Sequence, residues 1–389
     1  MTGFSTWLVF ALALVGHCGL HIAIYNRLNC LGWTRKRVKT TEKFFLFTVF
    51  AVPLAVLLCQ WNPIYEILFS NGDWSLLGPV TLGYGMICLV AWPVLGIPWL
   101  IYRPIFALEW VDAPRAVRVI DVSRVVENPL ALTANARWGS RLPLNQVLDL
   151  SIEEIELPVA GLPSALDGYR IAHLSDIHLT GKIHSDYARY AVEQATKARP
   201  DLMALTGDII DNQQCIDWLV DIFSPAEAVD GCYFILGNHD TRVVDSWETR
   251  NAMDRAGWTD LGSQAVVRDL GRVRSQIIGN EYPWFERPQM DCRKADFRLL
   301  LSHSPDQIGW ARRNGIELML AGHTHGGQGR LPLAGPILSP SIHGSRYASG
   351  DFYHAPTTMH VTRGLGGVHL LRINCRPELS LLTLRKVSA

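Results

Sequence analysis

Long apolar stretches separated by short polar connections dominate the first hundred or so residues of the chain. Three stretches contain no charged residue: Thr6 to Tyr25, Phe44 to Trp61 and Trp74 to Tyr102. Each can cross a lipid bilayer, which takes about 20 residues in an α-helix. A cleaved signal peptide fits less well, because no basic residue precedes the first stretch and two more follow it. We predict that residues 1–103 form a membrane anchor of three transmembrane helices, the third tilted or kinked by Pro79, Pro93 and Pro98.

The two connections between these stretches differ in charge, which predicts the orientation of the anchor. The connection between the second and third stretches, residues 62–73, carries no Lys or Arg. The first connection carries Arg27, Arg35, Lys36, Arg37, Lys39 and Lys43. Because basic connections stay on the cytoplasmic side, we expect the N-terminus outside and everything after Arg103 inside. This predicts a multi-pass membrane protein whose residues beyond 103 face the cytoplasm.

Two histidines, His17 and His21, lie four residues apart in the first stretch and would share one face of a helix. Ionisable residues inside a membrane often mark a functional site. A neutral histidine that bonds a neighbouring helix is the other interpretation, and the sequence leaves both open.

Beyond the anchor, the apolar runs become short and alternate with amphipathic segments. Residues 104–160 are predicted as a juxtamembrane linker that becomes a strand near Asp149 to Leu157. We then predict strands at Arg170–Leu174, Leu202–Thr206, Cys232–Leu236, Phe297–Ser302, Ile316–Ala321, Thr358–Thr362 and Ser380–Leu384. Between the first two of these, a segment with helical spacing begins after Ser185 and ends before Pro200, and a hairpin turns at Asp269 to Gly271. Alternation of this kind predicts an α/β domain over residues 161–389, with ligands beyond the carboxyl ends of the strands.

Polar motifs follow five successive predicted strands. They read Ser-Asp-Ile-His at 175–178, Gly-Asp at 207–208, Gly-Asn-His-Asp at 237–240, Ser-His at 302–303 and Gly-His-Thr-His at 322–325. Asp and Asn beside Gly are also ordinary turn residues, and each motif alone is weak. Turns do not explain why all five strands end in carboxylates, amides or imidazoles, so we predict a shared metal site.

Composition narrows the choice of partners. The formal net charge is zero and no basic cluster is interleaved with aromatic residues, so we expect no nucleic-acid partner. The eight cysteines form no C-x-x-C pair, which argues against a zinc ribbon or a thioredoxin-like site. We expect the cysteines to be small buried apolar residues.

Taken together, the five motifs resemble the calcineurin-like metallophosphoesterase family across residues 170–326. The tail, with "GHTHGGQ", "TRGLG" and "PELSLLTL", also resembles the YkuE-like membrane-associated bacterial branch, which is related to UDP-2,3-diacylglucosamine pyrophosphatases. The resemblance implies a four-layer αββα sandwich behind the transmembrane anchor. Together with the charge pattern, it implies a multi-pass protein of a bacterial inner membrane with its catalytic domain on the cytoplasmic side. The segment "GGVHLLRINCRPE" departs from the proline-rich version expected in relatives, so the loop near His369 is expected to shape a different pocket.

The resemblance also implies roles for individual residues. Asp208 would bridge two metal ions, and six further ligands would be Asp176, His178 and His325 for the first metal, and Asn238, His303 and His323 for the second. His239 would lie over the substrate phosphate as the catalytic residue, stabilising charge or protonating the leaving oxygen. Two acids, Asp211 and Asp240, would support the ligands or lie on the surface. Candidate substrate contacts, with solvent-exposed positions as the alternative, are Gln328, Arg330 and Arg363.

These roles imply a metal-dependent phosphoesterase that holds two divalent ions and cleaves a phosphodiester or pyrophosphate bond by attack of a metal-bound hydroxide. Mixed nitrogen and oxygen ligands suit Mn, Fe, Zn or Co without choosing among them. A membrane anchor favours a phosphorylated, lipid-linked substrate such as UDP-2,3-diacylglucosamine, with the bilayer as a second partner. The alternatives are a phosphodiesterase for a soluble substrate, such as a cyclic nucleotide, and a non-catalytic membrane scaffold that keeps the fold.

Overall fold

The computed structural model describes residues 3–70, 72–102, 109–290 and 295–387. Its N-terminal part consists of helices α1 (Gly3–Leu28), α2 (Arg35–Cys59), α3 (Trp61–Phe69) and α4 (Pro79–Tyr102). Three of them, α1, α2 and α4, are long and apolar enough to cross a membrane. These correspond to the three predicted spans. Arg103, which we took as the end of the anchor, lies outside the described residues.

The short helix α3 lies in the connection that carries no basic residue. Its Ile64 and Ile67 are buried and pack with Leu77 and with partly buried side chains of α1 and α2. This connection is therefore folded back onto the helical bundle.

His17 and His21 bond to neighbouring helices of the N-terminal bundle. One ring nitrogen of His17 lies 2.6 Å from the Tyr84 hydroxyl, and the other lies 3.0 Å from the Val49 carbonyl. His21 reaches Thr48 Oγ1 at 3.1 Å. These contacts join α1 to both α2 and α4, which favours hydrogen bonding between helices over a separate functional site.

The remainder of the described chain contains two large β-sheets with helices outside them. Strands are β1 (Arg115–Asp121), β2 (Asp149–Val159), β3 (Arg170–Leu174), β4 (Leu202–Thr206), β5 (Cys232–Ile235), β6 (Thr259–Asp260), β7 (Ala265–Leu270), β8 (Val273–Asn280), β9 (Phe297–Ser302), β10 (Leu318–Ala321), β11 (Arg330–Leu331), β12 (Gly335–Pro336), β13 (Gly350–His354), β14 (Thr357–Val361) and β15 (Glu378–Lys386). Helices are α5 (Ala134–Ser140), α6 (Asp186–Lys197), α7 (Trp218–Phe223), α8 (Ser246–Arg255) and α9 (Ile308–Arg313).

Strand order defines a seven-stranded sheet, β1-β2-β15-β3-β4-β5-β6, and a six-stranded sheet, β13-β14-β10-β9-β8-β7. Side chains alternate between the two faces of each strand, so each sheet can bury both faces. In β4, for example, Leu202 and Ala204 pack toward the other sheet, whereas Met203 and Leu205 pack toward α6, α7 and α8. In β10, Leu318 faces the other sheet and Met319 packs toward α9. The predicted αββα sandwich is confirmed.

The segment predicted as a linker contributes two strands to the seven-stranded sheet. β1 pairs with β2 along its whole length, and β2 pairs with β15. Most of β1 is exposed, so backbone pairing and the ion pairs of Arg115 with Glu153 and Asp351 stabilise it more than apolar burial does. The edge of the sandwich thus begins at Arg115, well before residue 161.

The end of α1 is attached to the sandwich by one buried side chain, Asn26. Its amide donates to the Ile337 carbonyl at 3.0 Å, and its side-chain oxygen accepts from the Ser339 backbone N–H at 2.9 Å. The Asn26 carbonyl also accepts from the Ser341 N–H at 3.0 Å. The N-terminal helices therefore meet the sandwich at a defined position.

Replacing Asn26 with Ala should loosen this attachment. The Ile337 carbonyl and the Ser339 N–H would lose their partners, at a cost of about 1–3 kcal/mol for a buried unsatisfied group. Hydrogen–deuterium exchange of residues 337–341 should become faster than in the wild type. Asn128, whose exposed side chain bonds Asp186, provides the control Asn128→Ala, which should leave that exchange unchanged. Unchanged exchange in Asn26→Ala would contradict the attachment.

Candidate metal centre

The two sheets bring their polar strand ends to one place. β3, β4 and β5 are parallel neighbours in one sheet, and β9 and β10 are parallel neighbours in the other. Because parallel strands end at the same edge, the residues after each strand meet there. Those after β3, β4 and β5 supply Asp176, His178, Asp208 and Asn238, and those after β9 and β10 supply His303, His323 and His325.

Five of these residues have a backbone conformation that non-glycine residues rarely adopt. The φ angles, between 50° and 70°, belong to Asp176, His178, Asp208, His323 and His325. Left-handed backbone costs on the order of 1–3 kcal/mol per residue and persists only where the surroundings hold it. Its concentration at the strand ends marks this region as a functional site.

Glycines before two of the motifs allow the loops to approach one another. A Cβ at Gly237 would lie 2.3 Å from Asp208 Oδ1, and a Cβ at Gly322 would lie 2.3 Å from Asp176 Oδ2. Any larger residue would therefore displace one of the two carboxylates. The glycines of the G-N-H-D and G-H-T-H motifs are required by this close contact.

The first group of ligand atoms comes from Asp176, His178, Asp208 and His325, which lie within 4.8 Å of one another. His178 Nε2 lies 3.1 Å from His325 Nε2 and 3.4 Å from Asp208 Oδ2. Asp176 Oδ1 lies 3.6 Å from His325 Nε2. These atoms surround a single point.

The second group shares Asp208 with the first. Asp208 Oδ1 lies 3.3 Å from His303 Nε2, which lies 3.1 Å from His323 Nδ1. Asn238 Oδ1 also lies 3.1 Å from His303 Nε2. The two oxygens of the Asp208 carboxylate thus face different groups of ligand atoms.

Hydrogen bonds at the far side of two rings decide which nitrogen is free to bind a metal. His303 Nδ1 donates to the Thr206 carbonyl at 2.7 Å, and His178 Nδ1 donates to Asp211 Oδ2 at 2.7 Å. With the proton on Nδ1, both Nε2 atoms direct lone pairs into the clusters. Lone pairs and carboxylate oxygens that converge in this way repel one another unless a cation lies between them. The donor set therefore fits divalent metal ions.

The electrostatics of the buried groups also favour positive charge at this point. Burial alone would raise the pKa of Asp208, but the surrounding histidines hold it well below its ordinary range. Burial lowers the pKa of His303, yet Asp208 and Asp176 raise it to about 9. The carboxylates thus stabilise a cation beside them.

Comparison with known proteins agrees with this geometry. A family model for calcineurin-like phosphoesterases matches residues 169–327. The chain is 30% identical over 273 residues to the uncharacterized metallophosphoesterase YkuE of Bacillus subtilis, an alignment that covers 66% of this chain and 93% of that protein. The chain belongs to the calcineurin-like phosphoesterase family.

Two further relatives extend the comparison. Phosphodiesterase YaeI of Escherichia coli is 30% identical over 223 residues, covering 56% of this chain and 82% of that protein. A transmembrane protein with metallophosphoesterase domain from Bos taurus is 25% identical over 347 residues, covering 82% of this chain and 74% of that protein. The predicted family is confirmed, and with it a metal-dependent phosphoesterase.

In this phosphoesterase, His239 lies beside the two groups of ligand atoms. Its backbone N–H donates to Asp208 Oδ1 at 2.7 Å. Its ring Nδ1 donates to Asp211 Oδ1 at 2.5 Å, and its Nε2 accepts from Arg242 at 2.6 Å. Burial lowers the pKa of His239 to about 4, so the ring is neutral near pH 7 in this arrangement. Positive charge next to it is supplied by Arg242.

The two candidate supporting acids, Asp211 and Asp240, are both turned inward. Asp211 contacts the ring nitrogens of His178 and His239 with its two oxygens. Asp240 is fully buried and accepts from the backbone N–H groups of Ile209, Ile210 and Gly237. Burial and the charge of Asp208 raise the pKa of Asp240 to about 7. These contacts hold the loops after β4 and β5 together.

The three candidate substrate contacts have different surroundings. Arg363 forms ion pairs with Glu153 and with Glu378, the latter at 3.1 Å, so its guanidinium is occupied inside the protein. Arg330 donates to the Gly326 carbonyl at 2.9 Å and contacts Ser349. Gln328 lies at the end of the "GHTHGGQ" loop with a φ of 47°. These surroundings favour structural roles for the two arginines.

Three residues at the site were absent from the sequence prediction. Arg242 bonds both Asp211 and His239. Arg372 is buried, donates to the His325 carbonyl at 3.2 Å and lies 3.3 Å from His325 Nδ1. The ring of Trp284 packs 5.3 Å from that of His303. The segment at residues 366–378 was noted in the sequence only for the loop near His369, and nothing in it singled out Arg372.

The shared contact of Asp211 with two histidines leads to a testable expectation. Asp211→Asn removes the charge that fixes the rings of His178 and His239, so turnover of a phosphodiester should fall by about 10–100-fold. The measurement is hydrolysis of bis-p-nitrophenyl phosphate by the full chain in detergent. Asp221→Asn, at an exposed position of α7, is the matched control and should keep wild-type turnover. Wild-type turnover in Asp211→Asn would show that these rings need no such support.

Proposed function

We propose that this chain is a membrane-anchored phosphohydrolase that holds two divalent metal ions and cleaves a phosphodiester or pyrophosphate bond at the membrane surface. The observation that carries the proposal is the position of the Asp208 carboxylate. One of its oxygens lies 3.4 Å from His178 Nε2, and the other lies 3.3 Å from His303 Nε2. A carboxylate between two groups of ligands is what a pair of closely spaced metal ions requires.

The ligands divide into two sets around Asp208. Asp176, His178 and His325 would hold the first ion, and Asn238, His303 and His323 would hold the second. When bound, such a pair of ions neutralises the phosphate oxygens and lowers the pKa of water to near neutrality. No separate base is therefore needed among the side chains of the site.

The remaining side chains of the site act on the phosphate and on the orientation of the ligands. Asp211 keeps the Nδ1 protons of His178 and His239 in place. Arg242 donates a hydrogen bond to His239 Nε2, and we propose that this guanidinium supplies positive charge beside the substrate phosphate. We propose that His239 positions Arg242 and the phosphate.

The anchor argues for a substrate at a membrane surface. Helices α1, α2 and α4 have the length and mean hydropathy of membrane spans, 2.0, 2.0 and 1.9. The alignment with the transmembrane protein with metallophosphoesterase domain from Bos taurus covers 82% of this chain. The aligned part is therefore longer than the domain predicted over residues 161–389. We propose a phosphorylated lipid or nucleotide-linked lipid, such as UDP-2,3-diacylglucosamine, as the substrate class.

Removing the bridge tests the metal pair directly. Asp208→Asn should lower the metal content below that of the wild type and reduce turnover by more than about 100-fold. A loss of about 100-fold is the largest typically seen when a residue that only orients a metal ligand is replaced. Metal content is measured by elemental analysis of protein purified with Mn, and turnover with bis-p-nitrophenyl phosphate. Asp254→Asn, exposed on α8, is the matched control. An unchanged metal content and turnover in Asp208→Asn would contradict the bridge.

The orientation of the anchor is tested by labelling in intact bacterial cells. A membrane-impermeant maleimide should label Ser70→Cys, in the connection without basic residues, and should not label Lys36→Cys until the cells are opened. The wild-type chain, with its own cysteines, gives the background. If only Lys36→Cys were labelled in intact cells, the orientation would be the opposite of the one proposed.

A further inference from the structure

Residues 331–342, which read LPLAGPILSPSI, form a surface segment without a charged residue. Strands β11 and β12 make a short hairpin at its start. Four of its large apolar side chains are exposed: Leu333 by 97%, Leu331 by 54%, Leu338 by 48% and Ile342 by 43%. Single exposed apolar residues are ordinary, but several on one short segment mark a surface that meets a partner. We call residues 331–342 the apolar loop.

The apolar loop lies where two of the long N-terminal helices end. Asn26, two residues before the end of α1, bonds the Ile337 carbonyl and the Ser339 N–H. The ring of Tyr102, the last residue of α4, lies 3.7 Å from the guanidinium of Arg346, just beyond the loop. An α-helix rises about 1.5 Å per residue, so Asn26 lies about 3 Å from the end of α1. The apolar loop is therefore at the level where the apolar helices give way to the sandwich.

Charged groups around the apolar loop suit a lipid surface. No Asp or Glu occurs in residues 327–350, where the basic residues Arg330 and Arg346 flank the loop. Two carboxylates from other segments bond to this stretch. Asp306 accepts from two groups of the loop itself, and Glu109 pairs with Arg346. An uncharged apolar segment with basic flanks is typical of an element that lies in the interface of a membrane.

We propose that the apolar loop inserts its leucines into the headgroup layer of the bilayer, in the leaflet where α1 and α4 end. This inference rests on the proposed function, because it requires those helices to cross a membrane. Leucine side chains gain hydrophobic free energy when they leave water, and no charge in the loop opposes their insertion. Continuity with α1 favours lipid over a protein partner, because the contacts of Asn26 hold the loop beside the bilayer in every molecule.

Insertion of the apolar loop would also position the candidate metal centre. A Cβ at Gly327, two residues after the proposed ligand His325, would lie 2.4 Å from Pro336 Cβ and 2.9 Å from the Leu338 carbonyl oxygen. The loop thus packs directly on the glycines that follow the histidine pair. Its insertion would hold this side of the site among the lipid headgroups.

The test measures lipid contact at residue 333 in the full chain. Leu333→Cys is labelled with an NBD dye in a Cys59→Ser background, which removes the exposed cysteine of α2. The chain is placed in nanodiscs, with one chain in each disc, whose phosphatidylcholine carries a doxyl quencher near the headgroup. The label should be strongly quenched, because interfacial side chains reach only about 5–10 Å into the boundary of headgroups and acyl chains.

A second substitution weakens insertion without moving the label. Leu331→Asp, added to the labelled Leu333→Cys chain, removes one inserted side chain and adds a charge. The ratio of quenched to unquenched label should fall by at least about tenfold, which is the contribution of one buried leucine to such an equilibrium.

Val229 provides the matched control. Its side chain is exposed by 83%, three residues before β5 and therefore at the edge of the sheet opposite the metal centre. Labelled Val229→Cys should show no more quenching than the Cys59→Ser chain without an added cysteine. Val229→Asp, added to the labelled Leu333→Cys chain, should leave the quenching unchanged.

Two outcomes would overturn the inference alone. One is a label at residue 333 that is not quenched although a label on Cys59 of the wild type is, which would place α2 in the bilayer and the loop outside it. The other is equal quenching at residues 333 and 229, which would mean that the dye itself binds lipid.

The proposed function fails in ways that can be told apart from these. If neither the Cys59 label nor the label at residue 333 is quenched, the membrane anchor is refuted and the inference with it. If the label at residue 333 is quenched but the Mn-loaded wild type hydrolyses no bis-p-nitrophenyl phosphate, the phosphohydrolase is refuted and the lipid contact of the loop stands.

Discussion

The Asp208 carboxylate is held between the two groups of ligand atoms, and the geometry of the rest of the site depends on this position. Its oxygens face His178 and His303, which come from different sheets. A buried carboxylate is costly unless cations or hydrogen bonds compensate it. The His239 N–H offsets part of that cost, and a cation between Asp208 and the ring nitrogens would offset the rest. Rigid sheets are needed because loops alone would not keep so many like dipoles converging on one point.

Strained loops at the strand ends are the consequence of this convergence. Five ligand-bearing positions have left-handed backbone, and two glycines leave no room for a Cβ. The apolar layer between the sheets stabilises the strands behind these loops, so the energy stored at the site is balanced by burial elsewhere. Asp240 contributes by bonding three backbone N–H groups of the loops after β4 and β5.

Sequence patterns predicted the strands at the centre of the sandwich and placed the polar motifs at their ends. β3, β4 and β9 have the predicted bounds because each is an apolar run buried on both faces. β1 was assigned to a linker because it is an exposed edge strand, stabilised by pairing with β2 rather than by a buried face. Arg372 and Trp284 could not be predicted in the same way. Arg372 contacts His325, and Trp284 contacts His303, across separate segments of the chain. The spacing of residues within one segment cannot predict a contact between two segments.

Attachment of the anchor to the sandwich changes what the site can accept. If α1, α2 and α4 cross a bilayer, as proposed, the contacts of Asn26 and Gly32 fix the metal centre at a set height beside the membrane surface. A diffusing substrate could reach a flexible domain from any side, but a fixed site faces mainly groups presented at that surface. The connection between α1 and α2 then serves two purposes in this proposal: its basic residues orient the anchor, and Gly32 packs against the loop that carries Trp284. An isolated sandwich would keep every proposed metal ligand and lose the contacts of Asn26 and Gly32.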